Sequence, residues 1–132
     1  MRKPFLLYTA LGLMLVFAAL DSVAHLFSFY WIYWWYDVMM HLWAGFSGGL
    51  LVLWFFEPYN IGGYKSFFTV IGCLFVVGAV WEIFEYYNNF AQPVDYGLDT
   101  LFDFINDILG AILAFFYANV RILKSSLGFQ DT

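Results

Sequence analysis

Residues 34–41 read WWYDVMMH and lead directly into the apolar segment LWAGFSGGLLVLWFF at residues 42–56. Asp37 and His41 are four positions apart, so on a helix they lie on one face, about 40° and roughly 6 Å of rise apart. The helix that they open is apolar enough to cross a membrane, where an ionisable side chain costs roughly 2.5–3.5 kcal/mol by insertion scales unless another group compensates it. We therefore expect the fold to be arranged around whatever compensates this pair.

The composition of the whole chain is that of an integral membrane protein. Of its 132 residues, 64% are hydrophobic and 11% are charged, and the mean hydropathy is +0.76. A soluble domain is nearer to roughly half apolar and a quarter charged. We expect residues 1–132 to form a single transmembrane domain. The net charge of −5 argues against a nucleic-acid partner, because nucleic acid selects a basic surface.

Four apolar blocks are long enough to cross a hydrocarbon core of about 30 Å as helices. These predicted spans are residues 4–27, 35–56, 66–87 and 98–120. The aromatic stretch FYWIYWWY at residues 29–36 separates the first two blocks, and because Trp and Tyr favour the headgroup level, it predicts an interfacial belt or a re-entrant corner. The predicted fold is an all-α, four-transmembrane-helix bundle with up-down topology.

The basic residues all fall at one end of this predicted bundle. They precede the first span, lie between the second and third, and follow the fourth, as Arg2 and Lys3, Lys65, and Arg121 and Lys124. Short cytoplasmic segments carry an excess of Lys and Arg, so we expect this end, with both termini, to be cytoplasmic. The chain would then be a multi-pass protein of the cell membrane.

The acidic and histidine side chains of the spans fall at the opposite, extracytoplasmic end. Each helix carries them at three- or four-residue spacing, which places them on one stripe. The positions are Asp21 and His25, Asp37 and His41, Glu82 and Glu85, and Asp99, Asp103 and Asp107. No Lys or Arg lies in that half of the predicted bundle, so these carboxylates must be hydrated, protonated or bound to a metal.

Four such stripes that meet at matched depth would form a cluster of carboxylates and imidazoles. Bundle cores that hold two metals are built in this way, although from Glu-x-x-His rather than the Asp-x-x-x-His and Glu-x-x-Glu spacings found here. Oxygen ligands with imidazole favour Zn, Mn or Fe as the divalent metal. The predicted ligands are Asp37, His41, Glu82, Glu85, Asp103 and Asp107. The residues predicted to orient them, or to hold a second metal, are Asp21, His25, Asp99 and Asn106.

Simpler roles remain open for some of these residues. Asp99 can cap the fourth helix, Asn106 can hydrogen-bond a neighbouring helix, and a hydrated vestibule needs no metal. Small residues also recur in the last three spans and predict close helix packing, because they let backbones approach. They are Gly45, Ser47, Gly48, Gly49, Gly72, Gly78, Ala79, Gly110, Ala111 and Ala114.

Three groups of residues resemble known membrane families. YDVMMH at 36–41, WEIFE at 81–85, and the Asp99-Thr100, Asp103, Asn106-Asp107 and Gly110-Ala111 positions resemble the YjdF-like family of small inner-membrane proteins. Their order is also similar to that of VanZ-like membrane proteins, which are associated with glycopeptide-antibiotic tolerance, although the loop before Asp99 has no basic residue here. The resemblance covers residues 36–114 and implies a bacterial or archaeal inner membrane. It implies architecture and site positions rather than a reaction.

Three classes of function remain open. The leading hypothesis is a metal-dependent hydrolase of a lipid-linked substrate, in which the metal activates water or polarises an ester or phosphoryl oxygen. The second is a proton or divalent-cation transporter. The cytoplasmic half has no matching polar stripe, which argues against a continuous path. The third is a structural or accessory subunit, in a homo-oligomer or a larger membrane complex, whose metal stabilises the bundle. Membrane lipid and the lipid-linked substrate are the expected partners.

Overall fold

The computed structural model describes residues 3–56, 62–88 and 95–126. These residues form five helices: α1 (Pro4–Phe27), α2 (Phe29–Ile32), α3 (Trp34–Phe56), α4 (Tyr64–Asn88) and α5 (Tyr96–Ser126). All except α2 are long and apolar enough to cross a membrane. The prediction of an all-helical chain with four such helices is confirmed, and the short α2 inside the aromatic stretch is an addition to it.

The later helices run beyond the apolar blocks that predicted them. α1 and α3 begin and end within one residue of the predicted spans, whereas α5 covers 31 residues and continues to Ser126. A count of apolar residues stops at Arg121, but backbone hydrogen bonding continues because Arg, Lys and Leu are good helix formers. The predicted breaks at residues 57–61 and 89–94 lie outside the described residues.

The aromatic stretch turns the chain between α1 and α3. Ser28 ends α1 in the left-handed conformation with a φ of 59°, α2 makes one turn, and Tyr33 returns to an extended conformation. The rings of Tyr30 and Tyr36 pack edge to face with centroids 5.3 Å apart. The corner is therefore a compact aromatic cluster rather than an open loop.

Two hydrogen bonds hold α1 antiparallel to α3. The Tyr36 hydroxyl donates to the Leu20 carbonyl at 3.0 Å, and the Trp43 indole donates to the Leu13 carbonyl at 2.9 Å. Moving forward along α3 therefore means moving backward along α1. The acidic end of α1 and the acidic start of α3 consequently meet at the same end of the bundle.

α3 is the central helix and packs against α1, α4 and α5. Its closest approach is to α5, where a Cβ atom on Gly45 would overlap the backbone of Asp107 and one on Gly110 would overlap the backbone carbonyl of Leu42. Both glycines are buried, and their missing side chains let the two backbones meet. Gly72, predicted as another packing contact, is exposed and has open space at its Cβ position instead.

The two ends of the bundle have different interiors. Near the start of α1 and the end of α5, where the Arg121 guanidinium lies 5.9 Å from the centre of the Phe5 ring, the interior is mainly apolar and also buries Ser66. Its buried side chains are Leu6, Ala10, Leu50, Leu53, Val70, Leu74, Ala111, Ala114, Phe115 and Ala118. The opposite end buries polar side chains instead, namely His41, Glu82, Asp103 and Asp107.

Candidate metal centre

His41 lies at the centre of the buried polar end, with a carboxylate at each ring nitrogen. Its Nε2 is 3.6 Å from Asp103 Oδ1 and 3.7 Å from Asp37 Oδ1. Its Nδ1 is 3.3 Å from Asp107 Oδ1. Asp37 comes from the preceding turn of α3, whereas the other two come from α5, which the glycine contact holds against α3.

The position of Asp107 gives it a different role from the other two carboxylates. Asp37, His41 and Asp103 offer three ligand atoms that lie within 4.8 Å of one another, close enough to share one metal ion. Asp107 faces the opposite nitrogen of the ring and accepts its proton when Nε2 serves as the ligand atom. A carboxylate in that place fixes the tautomer and direction of a metal-binding imidazole. The sequence predicted Asp107 as a ligand, and the geometry fits an orienting group better.

Glu82 and Glu85 on α4 form a second triad with Asp103. Their ligand atoms also lie within 4.8 Å of one another. Thr100 donates a hydrogen bond to Glu82 Oε2 at 2.7 Å, whereas Glu82 Oε1 is buried and has no hydrogen-bond partner among the described residues. A buried carboxylate oxygen without a donor is costly, and a cation is the kind of partner that would compensate it.

Asp103 belongs to both triads and is 2% exposed. Its partners in the first triad, Asp37 and His41, come from α3, whereas Glu82 and Glu85 in the second come from α4. The shared carboxylate therefore joins the α3 side of the cluster to the α4 side. The first triad offers two oxygens and one imidazole nitrogen, and the second offers oxygens only. Such ligands suit Zn, Mn or Fe, with the all-oxygen triad favouring Mn.

Asp21 and His25 lie apart from these triads, at the aromatic corner. The Tyr30 hydroxyl donates to Asp21 Oδ1 at 2.7 Å, and His25 Nε2 lies 3.5 Å from the same oxygen. Burial and then the hydrogen bond to Asp21 raise the pKa of the Tyr30 phenol above its usual value of 10. The only described imidazole within the triads is therefore that of His41.

The remaining two predicted residues lie on α5. Asp99 is half-buried and lines the same cavity as Asp37 and His41. The Asn106 side-chain amide donates to the Phe102 carbonyl of its own helix at 2.7 Å. No described contact joins Asn106 to the triads, so its predicted role beside the metal stays a prediction.

Three residues that contact the site were absent from the predicted set. Thr100 holds Glu82, Tyr30 holds Asp21, and Tyr96 donates to the Glu82 backbone carbonyl at 3.0 Å. Thr100 lies three residues before Asp103, a spacing that places both on one face of a helix. That spacing was a usable signal, whereas the two tyrosines reach their partners through tertiary contacts.

A cavity of about 910 Å³ connects the cluster to the surface of the protein. Its polar lining includes every predicted site residue on α1 and α3 together with one from α4 and two from α5, namely Asp21, His25, Asp37, His41, Glu85, Asp99 and Asp107. Asp37 and His41 of the first triad, Glu85 of the second and the corner pair therefore face one shared space, whereas Glu82 and Asp103 do not line it. A water molecule or a substrate group could reach the cluster from this space.

No protein-family model, curated protein or solved structure matches the chain. The resemblance to YjdF-like and VanZ-like proteins therefore stays a prediction.

Proposed function

We propose that the protein is a four-span membrane protein that binds a divalent metal in its extracytoplasmic half and uses it to hydrolyse a lipid-linked substrate. The membrane placement is supported by large apolar side chains that point outward from all four long helices, such as Leu15, Phe55, Phe68 and Leu113, which are 51% to 74% exposed. In lipid such surfaces are stable, whereas in water they favour aggregation.

The orientation follows from the separation of charge. Lys3, Lys65, Arg121 and Lys124 lie at the ends of helices that carry the apolar interior, and the acidic cluster lies at the other end. The excess of positive charge on cytoplasmic segments puts the first end, with both termini, in the cytoplasm. The acidic cluster then opens to the extracytoplasmic side of a cell membrane.

The observation that best supports a bound metal is the burial of the oxygen Glu82 Oε1 without a hydrogen-bond partner among the described residues. This oxygen is buried beside Glu85 and Asp103, and the chain has no Lys or Arg between residues 66 and 120 that could approach it. Burying several carboxylates together without a cation costs far more than one hydrogen bond returns. One or two divalent ions, held by the two triads, would compensate these charges and complete the coordination of Glu82.

A metal so placed can activate water for hydrolysis. A metal held by these residues would lower the pKa of a water molecule and so supply a hydroxide nucleophile for an ester carbonyl or a phosphoryl group. In that reaction the water oxygen would form the new bond, the bond to the leaving oxygen would break, and the leaving oxygen would take up the proton that the water has lost. The cavity beside the cluster supplies the space in which the two reactants can meet.

Transport fits this architecture less well. The half of the bundle away from the cluster is filled mainly by apolar side chains, together with the buried Ser66, and Leu6, Leu50, Leu53 and Val70 have no exposed surface. Ions and protons need polar groups or water along their path. A metal that only stabilises the bundle remains the alternative to hydrolysis, and turnover separates the two.

Elemental analysis of the purified protein tests the metal directly. The protein is purified in detergent, supplied in turn with Zn, Mn and Fe(II), and freed of loose ions before analysis. We expect at least one bound metal per chain, and a loss of most of it in Glu82→Gln and Asp103→Asn. Asp95→Asn is the matched control, because Asp95 is exposed at the start of α5.

The same preparations then test hydrolysis on phospholipid esters and on lipid phosphates. Metal-dependent product release that disappears in Asp103→Asn supports the enzyme. Bound metal without turnover on any of these lipids favours the structural alternative. No metal above background with all three ions would refute the metal centre itself.

A further inference from the structure

We propose that a bilayer lipid enters the protein sideways, between α1 and α4, and that one of its acyl chains lies in the cavity beside the metal centre. The inference rests on the proposed function and names the substrate class of the same site. The substrate would be an acyl lipid of the extracytoplasmic leaflet, with its headgroup ester or phosphoryl group at the cluster and its chain deeper in the protein.

The cavity has the two-part lining that an amphiphile requires. The acidic and imidazole side chains occupy the end near the aromatic corner, and the rest of the wall is largely apolar. Its apolar lining is provided by Met14 and Phe17 of α1, Leu51 and Val52 of α3, and Leu74 and Val77 of α4. A small charged substrate would contact the polar end alone and leave this long apolar wall without a partner. An apolar chain is the partner that fits it.

The length of the apolar part is comparable with that of one acyl chain. From His41 to Val52 the cavity follows α3 for eleven residues, which is about 16 Å at the helical rise per residue. From Glu85 to Leu74 it follows α4 over the same number of residues. The hydrocarbon of one leaflet is about 15 Å thick, half of a core of roughly 30 Å. A chain whose headgroup lies at the cluster is therefore long enough to reach Val52, which lies four residues before the end of α3 and thus beyond the middle of that helix.

The packing of the helices leaves an entrance. Within the described part of the chain, the most extensive contacts of α1 are with α3 and α2. Val77 and Trp81 line the cavity from α4, yet they are 59% and 45% exposed. The cavity is thus continuous with the outer surface of the bundle between α1 and α4. In a bilayer that surface faces acyl chains, and water would find too few polar partners along the apolar wall to replace them.

The inference is tested by photo-crosslinking in lipid nanodiscs made with a phospholipid that carries a diazirine in its acyl chain. Attachment sites are mapped by mass spectrometry. We expect labels on Leu51 and Val52, which line the cavity and are half-buried, in addition to outward residues such as Phe68. The labels on Phe68 report ordinary contact with bulk lipid and serve as the internal reference.

Matched variants separate the cavity from the outer surface. Val77→Trp places a large ring in the cavity, whereas Val76→Trp changes a neighbouring valine that is 61% exposed and does not line it. We expect Val77→Trp to reduce the ratio of Leu51 to Phe68 labelling at least five-fold and Val76→Trp to leave it unchanged. Leu51→Trp is a second variant that should block the cavity, and its effect is measured by the labelling of Val52.

Metal content is measured on every variant, so that the lipid site and the metal centre can each be refuted independently of the other. Val77→Trp that keeps its metal and loses the cavity labels supports the lipid site and shows that the fold is intact. Wild-type protein labelled on Phe68 but not on Leu51 or Val52 would overturn the lipid site and leave the metal centre untouched. Labelling of Leu51 that persists equally in Val77→Trp and Val76→Trp would also overturn it. Cavity labels on protein that binds no metal would support the lipid site while refuting the proposed function.

Discussion

Single residues decide which atoms of the cluster are available to a metal. His41 has carboxylates on both sides, and its Nε2 is the nitrogen that lies beside Asp37 and Asp103. Asp107 on the Nδ1 side can hold the ring with the Nε2 lone pair directed at Asp37 and Asp103. A ligand and its supporting carboxylate are thus distinguished by the nitrogen that each one faces.

Asp107→Asn is expected to weaken metal binding without abolishing it. The amide keeps the size of the side chain but loses its charge, so the imidazole is less well fixed and less basic, and affinity should fall about 10- to 100-fold. Metal titration followed by elemental analysis gives the measurement. Asp103→Asn, which removes a ligand from both triads, should cost much more. Equal losses in the two variants would place Asp107 among the ligands, as the spacing predicted.

The phenol of Tyr30 is expected to resist ionisation. Burial and the hydrogen bond to Asp21 raise its pKa in the folded protein, whereas in the unfolded chain it ionises near its usual value. This contribution to stability is complete below about pH 10 and is lost as the pH rises further, because the unfolded state then releases the proton first.

Ultraviolet titration of the phenolate band, compared between wild type and Tyr30→Phe, measures this property. The two folded proteins should show the same absorbance rise between about pH 9 and 11, because Tyr30 stays protonated there. Asp21→Asn removes the acceptor charge and should move the Tyr30 signal to lower pH. A smaller rise in Tyr30→Phe than in wild type would show that the phenol ionises normally.

At the scale of helices, the contact between α3 and α5 builds the site. Gly45 lies one turn after His41, and Gly110 lies one turn after Asp107 on the facing helix. Because both lack side chains, the backbones touch at this level and bring the two functional stripes together. The same contact therefore determines the packing of the bundle and the first triad.

Gly45→Ala and Gly110→Ala are expected to destabilise the protein by about 1–3 kcal/mol each, since the added methyl group overlaps backbone atoms of the facing helix. Gly72→Ala is the matched control. Its Cβ position has nothing within 4 Å, so the alanine should be neutral or add about 0.5–1 kcal/mol through helix propensity. Thermal unfolding in one detergent compares the three variants. Equal melting temperatures for all of them would contradict the close contact.

At the scale of the whole molecule, the separation of charge defines two ends. The basic residues lie at one end with the apolar interior, and the acids lie at the other with the cavity. A protein arranged in this way would expose its chemistry to one side of the membrane only. Lipid of the leaflet on that side is the substrate that we propose.

Labelling of single cysteines in intact cells is expected to follow that division. In a Cys73→Ser background, Lys65→Cys and Lys124→Cys should be protected from an impermeant maleimide, because the proposed orientation puts the basic ends in the cytoplasm. Tyr87→Cys, at the exposed outer end of α4, should react with it. Reaction of Lys65→Cys only from outside would reverse the orientation and place the acidic cluster on the cytoplasmic side.

Much of this architecture is determined by the sequence alone. Apolar blocks of about 20 residues favour helices in a bilayer, because a helix satisfies every backbone group within its own segment. The helical spacing of Asp37 with His41, or of Glu82 with Glu85, likewise places each pair on one face. Local rules of this kind need no knowledge of neighbouring helices, and α1 and α3 accordingly match their predicted spans within one residue.

The tertiary structure alone decided which stripes meet, and at which atoms. Spacing cannot reveal that Asp103 joins two triads, that Asp107 faces the other ring nitrogen, or that Asp21 bonds to Tyr30 at the corner. These contacts depend on how far the helices rotate and how closely they approach. The glycine contact between α3 and α5 and the turn at α2 set both quantities, and each is a property of packed side chains rather than of one segment.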